Sequence, residues 1–171
     1  MDGREQVLIE LNGESGFGTI NKPVPIGVSG PVGGGWDLRV NSVDPDANQT
    51  ILDANMFNEP PAAERQFVLA NITATNGTGQ SEMFDASYRL RLVGTATGTV
   101  YTTFEVVDRC GVIPEPVEDV EIAHGDSISG NVCWQVLQED LQSLILFNEE
   151  FLERDLAIWF DATAGNGSVA S

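Results

Sequence analysis

Trp36-Asp37-Leu38-Arg39-Val40-Asn41 sets an apolar side chain against a polar one at every step. In an extended chain that order puts Trp36, Leu38 and Val40 on one face and Asp37, Arg39 and Asn41 on the other. This is the pattern of a half-buried β-strand. The same period of two returns downstream. Residues 66–75 (QFVLANITAT) are a β-branched-rich run stopped by Asn76-Gly77-Thr78-Gly79. Residues 83–93 set Tyr88, Leu90 and Leu92 against Arg89 and Arg91, and residues 99–107 set Phe104 and Val106 against Thr103 and Glu105. A short strand is expected at 117–122. Residues 127–136 then carry Ile128, Val132, Trp134 and Val136 on one face, and Leu144, Leu146, Leu156, Ile158 and Phe160 supply two more strands. Helical signals are limited to single turns at 138–141 and 149–154. Seven or more short strands with Gly, Asn and Pro at the joints predict an all-β, antiparallel sandwich or barrel.

Upstream, glycine and proline punctuate residues 1–35 too densely for a regular element. The exception is a β-prone run at 6–11 carrying Val7, Ile9 and Leu11. The expected divisions are a Gly/Pro-rich N-terminal tail at 1–23, a sandwich at 24–162 and a flexible end at 163–171. A chain of 171 residues suits one domain and is long enough to bury a core without metals.

Charge narrows the partners. There are 26 acidic residues against 8 basic ones, a net charge of −18, and Lys22 is the only lysine. Such a surface repels phosphate backbones and anionic membranes, and no basic stripe marks a nucleic-acid footprint. A halophilic source and an ordinary acidic exterior protein both suit this balance. No stretch reaches the roughly 18 apolar residues of a membrane helix. The first residues do not read as a signal peptide, so export implies that a signal has been removed from this chain.

Cys110 and Cys133 allow one pairing. Two free thiols in a cytosolic protein and one disulfide in an exported one both remain open on composition. Four N-x-S/T triplets, at Asn48, Asn71, Asn76 and Asn166, are compatible with export, but such triplets also arise by chance.

Several segments resemble a family of exported bacterial and archaeal proteins, many of them lipoproteins, with an immunoglobulin-like sandwich of the telokin-like, mycobacterial secreted-antigen type. They are Asn55-Met56-Phe57-Asn58-Glu59-Pro60-Pro61, Gln66-Phe67-Val68-Leu69, Thr73-Ala74-Thr75-Asn76-Gly77, Cys110-Gly111-Val112-Ile113-Pro114 and Gly125-Asp126 through Cys133-Trp134. The resemblance covers about residues 24–162, on the scale of an ordinary domain. It implies export, an immunoglobulin-like antiparallel β-sandwich and a bond between Cys110 and Cys133. It offers no catalytic residues. Relatives usually begin with a signal, often a lipid-attachment cysteine, and a low-complexity linker; this chain shows a β-prone run there instead.

Chemistry-bearing motifs are sparse. Gly27-Val28-Ser29-Gly30-Pro31 fails as a nucleophile elbow at its last position. His124, the only histidine, sits beside the Gly125-Asp126 turn and reads as an exposed turn residue. Asp44-x-Asp46-x-Asn48 matches the opening of a calcium loop, but Gln49 and Asn55 stand where its glycine and bidentate glutamate belong. The alternative is a turn whose side chains bond their own backbone. Glu139/Asp140, Glu149/Glu150 and Glu153/Asp155 pair carboxylates, as glycosidases do, yet pairs are expected in so acidic a chain and read as solvated faces. Trp36 and Trp134 share faces with aliphatic neighbours and are expected in the core. Trp159 alternates against Leu156, Ile158 and Phe160 and is the candidate contact aromatic. No cofactor is expected apart from this candidate calcium.

The reading is a non-enzymatic extracellular or cell-surface binding or structural module whose partner is another protein or a second copy. Two alternatives stand beside it. One is a filament subunit adding the strand around Val7, Ile9 and Leu11 to a neighbour's sheet edge. The other is a carboxylate-based hydrolase, which no motif supports.

Overall fold

Two antiparallel four-stranded sheets enclose the apolar faces. The computed structural model describes residue 18, residues 22–148 and residues 158–163, and every statement below concerns those. Strands β1 (Ser29–Val32), β2 (Trp36–Asp44), β3 (Arg65–Asn76) and β8 (Ser127–Leu137) lie in the order β1-β2-β3-β8. The facing sheet is ordered β10-β9-β5-β6, from β5 (Leu90–Gly94), β6 (Thr99–Tyr101), β9 (Leu144–Asn148) and β10 (Ile158–Asp161). A two-stranded ribbon joins β4 (Glu82–Met83) to β7 (Glu121–Ile122). The expected all-β antiparallel sandwich is the fold.

The period of two decides which side chains meet. Leu38, Val40, Val68, Ala70, Ile72, Ala74, Val132, Trp134 and Val136 come from the first sheet. Leu90, Leu92, Tyr101, Leu144, Leu146 and Phe160 meet them from the second. Removing that apolar surface from water is the main drive to fold. Trp36 closes one end against Phe84, their ring centroids 5.1 Å apart. The register of β2 on β3 slips at Asn41, between Val40 and Ser42. This bulge turns the Asn41 amide onto Asn71 Oδ1 and Thr73 Oγ1, both at 2.9 Å.

Four expectations about elements change. First, β1 lies inside the stretch read as too broken for structure. It is an edge strand, where Pro31 has no ladder bond to lose on its outer side. Second, residues 83–93 do not run as one strand. Asp85 Oδ1 accepts the Tyr88 N–H at 3.0 Å and caps a helical turn, Ala86–Arg89, which leaves Tyr88 exposed while Arg91 is buried. Third, β6 stops at Tyr101, and Phe104 and Val106 are exposed on a loop that ends in a 3-10 turn, Val106–Asp108. Fourth, the strand expected at 117–122 shrinks to Glu121–Ile122.

A seven-residue helix, α1 (Asn48–Ala54), was not expected. It lies on the outer face of the first sheet and buries Ile51. There Ala47, Ile51, Phe67, Cys110 and Cys133 form a second, smaller apolar cluster. The sandwich therefore has one core between its sheets and a satellite outside them.

Candidate functional site

The satellite cluster anchors two loops that expose apolar side chains. Cys110 and Cys133 are bonded, with Cα atoms 6.1 Å apart, so the segment around residue 110 is tied covalently to β8. Beside it runs the segment from 56 to 65, and polar groups stitch the two antiparallel. Asn58 Nδ2 donates to the Val112 carbonyl (2.6 Å), and its Oδ1 accepts the Val112 N–H (2.9 Å). Gln135 holds the middle of the seam. Its Oε1 accepts the Ala62 N–H at 2.7 Å, and its Nε2 donates to the Arg109 carbonyl at 3.0 Å. At the far end Arg65 Nη1 donates to the Val107 carbonyl and to Asp108 Oδ1, each at 3.0 Å.

The stitched segments carry side chains that the core does not take up. Met56 is 87% exposed, Phe57 83% and Val106 77%; Val107 and Val112 are also exposed. Single exposed apolar residues are ordinary, but a run of them on paired loops is the usual mark of an interaction site. Gly111 is required at the seam: its φ is +88°, and a Cβ would meet Asn58 Oδ1 at 2.4 Å. Glu64 sits in the left-handed region at φ 62° without being glycine.

Next to the seam, residues 113–117 bridge onto β8. The Asn131 N–H donates to the Glu115 carbonyl (2.8 Å), and the Val117 N–H donates to the Asn131 carbonyl (3.1 Å). Gly130 permits this approach, since a Cβ there would stand 2.5 Å from the Val117 nitrogen. Open clefts flank the bridge. One, of about 410 Å³, borders the disulfide, Arg109, Thr103 and Asp119. The other, of about 400 Å³, borders Glu115, Glu118, Asn71 and Ser129. Glu115 and Glu118 are exposed and so remain solvated.

The candidate residues from the sequence scatter. Val7, Ile9 and Leu11 lie outside the described residues, as do Glu149, Glu150, Glu153, Asp155 and Asn166. Asp44 Oδ1 accepts the Asp46 N–H at 2.9 Å, and Asn48 Oδ1 accepts the Phe67 N–H at 2.8 Å. The Asp44 bond is local to the turn, whereas Asn48 ties the start of α1 to β3. His124 is exposed and its Nδ1 accepts the Gly79 N–H at 3.1 Å. Trp36 and Trp134 are in the core, as expected. Trp159 is half-buried, its ring 4.7 Å from that of Phe147. The Asn71 and Asn76 amides are bonded within the fold: Asn71 Nδ2 donates to Asn131 Oδ1, and Asn76 Nδ2 to the Gln80 and Ile122 carbonyls.

Asp140 corrects the reading of Glu139/Asp140 as a solvated pair. Glu139 is exposed but Asp140 is fully buried. Its carboxylate accepts the Thr97 N–H (3.0 Å), the Thr97 hydroxyl (2.6 Å) and the Tyr101 hydroxyl (2.6 Å). Burial, then the bond to Asp140, pushes the Tyr101 pKa up to about 12. This is a structural anchor for the loop between β5 and β6, remote from the seam. The seam itself escaped the sequence reading. Its signal was present in adjacent Met56-Phe57 and Val106-Val107, but nothing in the order of residues said which apolar side chains the core would leave out.

No protein-family model matches the chain, and no curated protein matches it. Among solved structures, a candidate lipoprotein of Bacillus subtilis (YcdA) superposes with a TM-score of 0.51 at 14% identity, over 73% of this chain and 35% of its own. The chain thus spans about a third of that protein's length. The secreted protein MPT63 of Mycobacterium tuberculosis gives 0.45 at 15% identity, over 68% of this chain and 76% of its own. A β-sandwich protein of Clostridium difficile gives 0.43 at 12% identity, over 76% and 89%. At 14% identity the likeness to the Bacillus subtilis protein is one of fold alone.

Proposed function

We propose that the chain is a non-enzymatic binding module of the cell exterior and that it engages a protein partner through the seam of loops 56–65 and 105–112. One observation carries this reading: the most exposed large apolar side chains, Met56, Phe57 and Val106, stand on segments fixed by a disulfide and by paired amides. A fixed backbone lowers the ordering cost of binding. The disulfide favours an oxidising compartment, and the secreted and lipoprotein-like character of two structural neighbours points the same way. Because the acidic side chains at both clefts are solvated, the reading assigns no turnover to the protein.

The test is saturable binding of the labelled, folded protein to intact cells of its source. The double variant Met56→Ser/Phe57→Ser keeps its melting temperature and loses about tenfold or more in affinity, as removal of a central anchor does. Binding indifferent to both substitutions, or hydrolysis of ester, peptide or glycoside substrates at an enzyme's rate, overturns the proposal.

A further inference from the structure

We infer that the partner of this seam is a cationic amphipathic polypeptide segment, one presenting apolar anchors interleaved with lysine or arginine. The inference rests on the proposed docking role of the seam and concerns the chemistry of what docks. Exposed carboxylates punctuate the apolar surface: Glu59 follows Met56 and Phe57, Glu64 closes the first loop, and Glu105 precedes Val106 and Val107. The two arginines of the seam offset them only in part: Arg65 is paired with Asp108 at 3.0 Å, and exposed Arg109, whose Nε and Nη2 donate to the Phe104 carbonyl at 3.2 and 3.0 Å, sets one positive charge against three exposed glutamates. The seam therefore exposes Met56, Phe57 and Val112 at its Asn58 end and Val106 and Val107 at its Arg65 end, with an excess of negative charge along it.

Charge selects among occupants. A second copy brings the same acidic seam and a net charge of −18, so like charges face each other across the contact, which is strongly unfavourable. An anionic bilayer is repelled by the same charge. A basic segment gains from both features: its apolar side chains cover the exposed valines, Met56 and Phe57, while its cations meet the glutamates and speed encounter.

The probe is a short synthetic Lys/Leu amphipathic peptide, titrated against the full chain by fluorescence anisotropy, with a Glu/Leu and a Lys/Ser version as controls. The Lys/Leu peptide is expected to bind, and both controls to bind at least about tenfold more weakly. Met56→Ser/Phe57→Ser weakens it by about tenfold or more, and Glu59→Gln/Glu64→Gln/Glu105→Gln by several-fold. Raising salt from about 0.1 M to about 1 M, which shortens the Debye length from about 10 Å to about 3 Å, weakens wild-type binding and closes the gap to the glutamine variant.

Equal binding of the Lys/Ser peptide reduces the effect to bulk charge and overturns the inference. So does binding insensitive to the glutamine variant. Dimerisation lost in the Met56→Ser/Phe57→Ser variant would make the occupant a second copy, and binding to lipid vesicles lost in that variant would make it a membrane. Either result overturns the cationic partner. If cell binding requires Phe57 but ignores the glutamates and salt, the docking role stands and only the cationic partner falls.

Discussion

Between the sheets, Trp36, Trp134, Leu92, Ile72 and their neighbours pack through apolar burial, with no disulfide among them. Outside them, Ala47, Ile51 and Phe67 gather around Cys110 and Cys133 under a helix too short to be stable by itself. The two clusters share β3, since Phe67 faces outward and Val68 inward. The inner cluster is large enough to fix its strands through apolar area. The outer one adds a covalent link and paired amides, because it has to hold loops whose own apolar side chains point to solvent. One core makes the fold, and the other supports a surface on it.

The strongest way to break that division is to excavate each core in turn. Trp134→Ala removes a fully buried ring from the inner cluster and is expected to lower stability by about 3–5 kcal/mol in urea denaturation, with the whole sandwich melting earlier. Ile51→Ala is expected at the low end of about 2–5 kcal/mol, because α1 can settle onto the sheet. Its loss of hydrogen-exchange protection should be confined to α1 and the seam. If Ile51→Ala exposes the amides of β3 and β8 as fully as Trp134→Ala does, the two clusters are one cooperative unit.

Removing the disulfide tests the same boundary from the covalent side. Cys110→Ser/Cys133→Ser opens a loop with a sequence separation of 23, worth about 3 kcal/mol in the chain-entropy account. Urea denaturation should give that difference. Hydrogen exchange should place the first loosening at residues 107–113 and at the Asn58 clamp. Uniform loosening across β5 and β9, which contribute nothing to the outer cluster, would contradict a satellite role for the bond.

The contrast also explains what could be read from the order of residues. Strands β2 and β8 alternate along the face they pack on the inner core, so periodicity named them and placed Trp36 and Trp134 inward; β3, with Val68 in the inner cluster and Phe67 in the outer one, was legible as a β-branched-rich run. The resemblance implied the bond between Cys110 and Cys133. The outer cluster left no period to find: α1 buries only Ile51, and Phe104 and Val106 alternate like core residues while standing in solvent. Asp140 was unreadable for the complementary reason. Its partners Thr97 and Tyr101 lie some 40 positions away in sequence, and only the fold brings them together. The seam, built from two loops by Asn58 and Gln135, is a long-range object of the same kind.

Alkaline titration addresses the inner core with a smaller effect. The Tyr101 hydroxyl donates to Asp140 and accepts the Leu137 N–H at 3.2 Å, and its pKa is raised to about 12. A raised pKa means that the folded state holds the proton more tightly than the unfolded chain, whose tyrosine ionises near pH 10. The associated stability is complete below about pH 10 and is lost as pH climbs toward 12, amounting to roughly 2–3 kcal/mol. Unfolding free energies measured across that window should fall with pH in the wild type. Tyr101→Phe should flatten this dependence, while lowering neutral stability by about 1–3 kcal/mol through the unsatisfied Asp140 and Leu137 groups. Seam binding should be unchanged by Tyr101→Phe, and a loss there would couple the two regions.

The smallest effect separates backbone from charge within the seam. Glu64 holds a φ of 62°, and its carbonyl accepts the Gln138 N–H at 2.9 Å, so the strained turn also joins the first loop to the end of β8. Its side chain is exposed. Glu64→Gly relieves the left-handed strain and should raise stability by up to about 1 kcal/mol, read as a shift in urea midpoint at constant slope. Glu64→Gln keeps the strain and removes only the charge, so its stability should stay within about 0.5 kcal/mol of wild type. Both variants should weaken the Lys/Leu peptide to the same modest degree, because both lose the same carboxylate. A glycine variant that gains stability yet binds like wild type would mean that Glu64 serves the turn alone. The acidic contribution to docking would then rest on Glu59 and Glu105.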